Sequence, residues 1–251
     1  MSQQNVTVLS GSSRGLGLAM AKELATGTGH LITLSRQRSS ELAEIAAAHS
    51  VRLDQIVVDL ADPVALKDAA SLLATALTHT KNASSYRIIH NAGIVTPIKP
   101  ANDLTEFNEI RQAFDVNIAA PIFLTAHFLN ATAQCADRRV MLISSGAGRN
   151  PTGSWGVYCA TKAAMDHYSN VLNAEQHPNL RTSSVAPGVI DTGMQIEIRS
   201  TPADKFPSLK RFTDMHDNGV LANASDTAHK LLKLLGSDEF GQKTIDDVRN
   251  H

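Results

Sequence analysis

Val6-Thr7-Val8-Leu9-Ser10-Gly11-Ser12-Ser13-Arg14-Gly15-Leu16-Gly17, followed by Leu18-Ala19-Met20-Ala21-Lys22-Glu23-Leu24, is the stretch on which the fold turns. A short β-rich apolar run gives way to a glycine turn and at once to a helix-forming segment. Glycines let the backbone turn sharply and approach a ligand closely, while a helix start offers free N–H donors and the positive end of its dipole. A pyrophosphate matches both. The spacing Gly-x-x-x-Gly-x-Gly alone also suits a tight strand-to-helix connection with no ligand. Its place at the first strand of an alternating pattern favours dinucleotide binding, with Gly11, Ser13, Arg14, Gly15, Leu16 and Gly17 as the phosphate cradle.

Outward from that cradle, strand-like segments at 6–9, 31–34, 55–58, 87–90, 140–144 and 181–185 and a short one at 243–246, several of them continuous apolar runs, alternate with helical stretches. The pattern predicts an α/β fold, one doubly wound parallel sheet of about seven strands with helices on both faces, as a single domain over 1–251. Ala61-Asp62-Pro63 reads as a helix start, with Asp62 as N-cap and Pro63 at the first helical position. The second strand ends in Ser35-Arg36-Gln37-Arg38, where NAD-dependent proteins of this architecture place an acid for the ribose hydroxyls. Ser35 and Arg36, with Arg14 from the loop, instead suit a 2′-phosphate held by charge-assisted contacts, which predicts NADP(H).

Tyr158 and Lys162 stand four residues apart, on one face of a helix, with Ser145 upstream at the end of Val140-Met141-Leu142-Ile143. A cation beside a phenol favours phenolate and makes the tyrosine a usable acid or base, and a serine hydroxyl can hold a substrate oxygen. The expected chemistry is proton transfer at a carbonyl.

With these residues in view, the chain resembles the short-chain dehydrogenase/reductases from Val6 to about Val248, a family with a Rossmann-type sheet. The shared marks are Gly11/Gly15/Gly17, Asp59-Leu60, Asn91-Ala92-Gly93, Asn117, Ser145, Tyr158, Lys162 and Pro187-Gly188 followed by Thr192. The resemblance implies that Asp59 and Leu60 meet the adenine, that Asn91 and Ala92 lie along the ribose, and that Ile190 and Thr192 meet the nicotinamide. It also implies that Asn117 supports a water linked to Lys162. Ser154-Trp155-Gly156-Val157-Tyr158-Cys159-Ala160 and Val185 to Gln195 look like the sepiapterin reductase and benzil reductase branch. Such relatives reduce pteridine side-chain ketones and vicinal dicarbonyls with NADPH. Departures are Ser10 for a threonine, His90 for an asparagine, and Gly193 where an acid is common in the sepiapterin reductases. His90 reads as a buried, hydrogen-bonded structural residue rather than a pH-sensitive neighbour of the cofactor.

Residues 194–221 mix prolines, both charges and scattered apolar residues. They read as two short helices forming a substrate lid, or as an ordinary surface insertion. Trp155 is either a pocket wall or a packing anchor, and Met194 is a further substrate contact. A net charge of −1 gives no footprint for nucleic acid, and no apolar run is long enough for a membrane span. Two cysteines without ligand spacing predict no metal and a reducing cytosol. Relatives pair their central helices, which implies a homodimer or homotetramer. A small carbonyl compound is the expected substrate. A 3-oxoacyl thioester, a steroid, a sugar alcohol, or nucleotide sensing without turnover stay open as alternatives.

Overall fold

The computed structural model describes residues 5–80 and 83–251. Seven parallel strands form one sheet in the order β3-β2-β1-β4-β5-β6-β7. They are β1 Asn5–Ser10, β2 His30–Ser35, β3 Arg52–Val57, β4 Ser85–His90, β5 Arg138–Ile143, β6 Leu180–Ala186 and β7 Ile245–Asp247. Strand side chains alternate between faces, and the core divides accordingly. Val6, Val8, Ile88, Val140 and Leu142 face α3 Pro63–His79, α5 Ala120–Ala131 and α6 Gly156–Ala174. Leu9, Leu31, Ile89, Met141 and Ile143 face α1 Gly15–Ala25, α2 Ser40–Ala48 and α9 Ala224–Gly236. Burial on both faces is why these strands read as nearly unbroken apolar runs.

Local chemistry sets the helix starts. Asp62 Oδ1 accepts from the N–H groups of Val64 (2.9 Å) and Ala65 (3.2 Å), and Pro63 takes the first helical position, as the sequence predicts. The segment from α4 Phe107–Phe114 into α5 is continuous but holds a π-helical stretch, Asp115–Ala119, centred on Asn117. Among the described residues no helix is long and apolar enough to cross a membrane.

Strand order reverses between β1 and β4, so the loops after these two strands diverge and leave a crevice at their carboxyl ends. A third apolar cluster sits there, built around Trp155, Tyr158, Phe206 and Phe212. It includes residues of α7 Gly193–Arg199 and α8 Leu209–Asp217, the two short helices expected within 194–221. The excursion carrying them leaves and returns at one point. Ala222 N–H donates to Val189 O (2.9 Å) and Asp191 N–H donates to Ala222 O (3.0 Å).

Candidate active site

Gly11 takes φ +73°, and a Cβ on it would lie 2.8 Å from Ala92 Cα. A Cβ on Gly17 would lie 2.0 Å from Gly11 O, so the loop closes on itself only with glycine there. The Asn91 side chain ties the same loop down, donating to Ser10 O and Gly11 O (both 3.2 Å). Ser10 Oγ accepts from the N–H groups of Asn91 and Ala92 (both 3.1 Å), which is what a hydroxyl at position 10 accomplishes. Helix α1 then begins with no side-chain cap and no acid in its first turn, leaving its N-terminal donors for an anion.

Arg14 and Arg36 are exposed beside this helix start, at the cleft wall, with Ser35 between the sheet and Arg36. Among the described residues neither arginine is paired with a carboxylate. Asp59 is exposed at the cleft, where its Oδ1 accepts from Ala61 N–H (3.0 Å). Across the loop, Thr192 Cγ2 lies 3.2 Å from where a Gly15 Cβ would stand, so the base of α7 touches the cradle.

Ser145 ends β5 and caps a short turn, its Oγ accepting from Ala147 N–H (3.1 Å). Gly148 brings that turn against α6: a Cβ there would lie 2.8 Å from the Lys162 backbone carbon. The serine is thereby set beside Tyr158, whose phenol it hydrogen-bonds. Lys162 Nζ donates to Ile143 O (2.8 Å) and lies 5.7 Å from the centre of the Tyr158 ring. Burial pushes Tyr158 up to about 12, opposed by the hydrogen bond from Ser145. Burial pulls Lys162 down to about 8, opposed by Asp166. The expected shift of Tyr158 toward phenolate is therefore not met, because desolvation outweighs the Ser145 hydrogen bond and keeps the phenol protonated at neutral pH.

Asn117 is fully buried behind this group. Its Nδ2 donates to Ile94 O (2.8 Å) and Thr161 Oγ1 (3.1 Å), and its Oδ1 accepts from Ile94 N–H (2.8 Å). Both amide donors and one acceptor site thus hold the 91–94 segment against α6. His90 is buried and neutral, pushed down to about 3 by desolvation, with Nε2 2.8 Å from Thr125 Oγ1.

Trp155 is both wall and anchor. It stacks on Phe206 (ring centres 5.4 Å apart), tilts against Phe212 (5.2 Å) and presents an edge contact to Tyr158 (5.3 Å). One cleft of about 670 Å³ collects the cradle, the Ser35/Arg36 corner, Asp59-Leu60, Asn91-Ala92-Gly93, Ser145, Trp155, Tyr158, Lys162, Pro187-Gly188, Ile190, Thr192 and Met194. Asn117 is the one predicted site residue that does not line it.

The sequence profile of the short chain dehydrogenase family matches residues 5–203. The chain is a short-chain dehydrogenase. It is 33% identical to a benzil reductase ((S)-benzoin forming) of Bacillus cereus, over 95% of this chain and 96% of that one. It is 33% identical to sepiapterin reductase of Rattus norvegicus, over 94% and 92%. A crystal structure of a short-chain dehydrogenase/reductase from Burkholderia vietnamiensis superposes with a TM-score of 0.68 at 33% identity, covering 100% of this chain and 99% of that one. Within the short-chain dehydrogenases the chain falls in the benzil and sepiapterin reductase branch.

Proteins of this family are oxidoreductases that use nicotinamide cofactors, and the residues present fit one. The loop has no room for a Cβ at Gly17, α1 has no side-chain N-cap, and among the described residues Arg14 and Arg36 have no carboxylate partner. The cleft of this dehydrogenase also contains residues that sequence reasoning missed. Gln112, Gln195, Glu197, Arg211 and Phe212 line it from α4, α7 and α8. Gln195 ends the branch-like motif and, with Glu197, Arg211 and Phe212, falls in the expected lid, but no spacing singles these residues or Gln112 out as facing the cleft. Asp166 was legible in principle, because a carboxylate four residues beyond Lys162 shares its helix face.

Proposed function

We propose that this dehydrogenase is an NADPH-dependent carbonyl reductase acting on vicinal dicarbonyls of the benzil type. The observation that carries the reading is the buried, protonated Tyr158, hydrogen-bonded to Ser145 and facing an aromatic-walled cleft. Arg14 and Arg36, with Ser35, hold the 2′-phosphate, and the glycine cradle with the α1 terminus holds the diphosphate. Asp59 and Leu60 take the adenine, Asn91, Ala92 and Gly93 the adjoining ribose, and Pro187, Gly188, Ile190 and Thr192 the nicotinamide end.

The bound cofactor supplies the hydride, and the protein supplies alignment and the proton. Tyr158 gives its proton to the substrate oxygen, while the Ser145 hydroxyl donates to the same oxygen and fixes its position. As the proton leaves, the Lys162 ammonium stabilises the phenolate that remains. Asn117 supports the relay water linked to Lys162 and holds segment 91–94 and Thr161 in place beside it. The α7–α8 excursion, residues 194–221, acts as a lid that excludes water, with Met194 and Trp155 against the substrate. Phe107, Phe114 and Ile122, exposed on the α4–α5 segment, suit pairing with a second copy in a cytosolic homodimer or homotetramer.

A pteridine side-chain ketone is the second reading, favoured by the identity to the rat sepiapterin reductase. Gly193, which replaces an acid common in that group, counts against it. The test is loss of reduced-nicotinamide absorbance with benzil, a phenyl–methyl diketone, a pteridine ketone and a 3-oxoacyl thioester, each with NADPH and with NADH. Diketone turnover with NADPH well above the rest is expected. Thioester turnover without diketone turnover would overturn the proposal.

A further inference from the structure

We propose that Trp155 reads a second oxygen on the substrate. Its indole N–H receives the oxygen on the carbon next to the reacting carbonyl, and so matches the site to ketones oxygenated at both adjacent carbons. The inference rests on the carbonyl-reductase reading and deepens it by naming what selects the substrate.

Trp155 is 6% exposed, and among the described residues its Nε1 has no acceptor. A buried N–H without a partner is costly, and native interiors rarely keep one without use. A phenylalanine would keep an aromatic ring in this layer without the unpaired donor. The ring is also fixed on several sides by those three neighbours, so the direction of its N–H is set before any ligand arrives.

A second unpaired group lines the same cleft. Gln195 on α7 is 5% exposed, its Oε1 has no donor among the described residues, and it lines the cleft with Trp155. Tyr158 and Ser145 between them serve a single oxygen. A monoketone therefore leaves the indole unpaired. A vicinal diketone brings a second acceptor one carbon away, and an α-hydroxyketone brings a hydroxyl that can accept from Trp155 and donate to Gln195.

Trp155→Phe tests the assignment with NADPH and two matched substrates, a phenyl–methyl diketone and propiophenone. For the diketone, kcat/KM is expected to fall about ten- to thirtyfold further than for propiophenone, the scale of one buried hydrogen bond. The thermal midpoint should hold or rise, because an orphaned donor has been removed. Equal losses on both substrates would make Trp155 a wall only and overturn the inference, as would no loss on either.

The wild-type protein offers a second readout, since Trp155 is its only tryptophan and gives one indole N–H resonance. With oxidised nucleotide bound, adding the diketone should move that resonance downfield and adding propiophenone should not. An unmoved resonance would overturn the inference. Wild-type protein that reduces no vicinal diketone would overturn the underlying reading itself. Diketone reduction equal in wild type and variant would overturn this inference alone.

Discussion

Asp166→Asn is expected to move the alkaline edge of activity down by about one pH unit. Asp166 lies one helical turn beyond Lys162, is buried, and accepts from Ser184 Oγ (2.6 Å) and Arg149 Nε (3.0 Å). Burial draws Lys162 down to about 8, and Asp166 is the group opposing that fall. The other ionisable neighbour of Lys162 is Tyr158, and Arg149 reaches Asp166 from the serine turn. Residues one turn apart have Cβ atoms about 5–6 Å apart, and unit charges about 6 Å apart at an effective dielectric of about 20 interact by about 3 kcal/mol. Arg149, paired with the same carboxylate, offsets about half. Roughly 1.4 kcal/mol remains, which is about one pH unit.

The direction follows from the role of the ammonium. Lys162 works protonated, so activity is present below its pKa and is lost as pH rises through about 8. Without the Asp166 charge the loss begins lower. At pH 8 the protonated fraction drops from about one half to about one tenth, while near pH 6 both proteins are almost fully protonated. The assay is the pH profile of kcat/KM for NADPH, which reports groups on the free enzyme. An alkaline edge that stays in place or moves up, in a variant that melts normally, would refute the reasoning.

Gly17→Ala should abolish nucleotide binding and lower the thermal midpoint, because its Cβ would meet Gly11 O at 2.0 Å and Asn91 Nδ2 at 2.4 Å. Overpacking of this kind costs about 1–3 kcal/mol. Gly146→Ala, with nothing within 4 Å of its Cβ, is the control and should melt like wild type. Arg36→Glu should weaken NADPH about ten- to a hundredfold in a fluorescence titration and leave NADH nearly unchanged. Equal effects on both nucleotides would remove Arg36 from the phosphate site.

Several strands were legible because parallel strands covered on both faces carry apolar runs, as β1, β2, β4 and β5 do, while the more polar β6 and β7 follow from the alternation with helices. Their starts were less so. β5 begins at Arg138 and Arg139, both buried, with Arg138 donating to Leu129 O and Pro178 O and Arg139 to Leu235 O and Ser237 O. Hydropathy places those arginines outside, whereas carbonyl partners pay for their burial inside. β3 begins at Arg52 rather than Gln55, since an edge strand tolerates polar residues whose Asp54 also meets the buried His30 (2.7 Å). At the site, glycine spacing and the Tyr/Lys interval are local patterns and could be read directly. The hydrogen bonds of the Asn117 amide in its π-helical turn depend on Ile94 and Thr161, which no spacing links to it. The balance between burial and the Ser145 hydrogen bond at Tyr158 likewise belongs to the packed core.

The account's central claim is that Tyr158 delivers the proton in reduction of a vicinal diketone. Its most direct test is Tyr158→Phe, assayed for NADPH-dependent diketone reduction and, in the same preparation, for NADPH affinity. The account predicts turnover reduced by about a hundred- to ten-thousandfold, the worth of a positioned general acid, with NADPH affinity within about threefold of wild type. Turnover that persists near the wild-type rate, or a matching collapse of nucleotide binding, would contradict it.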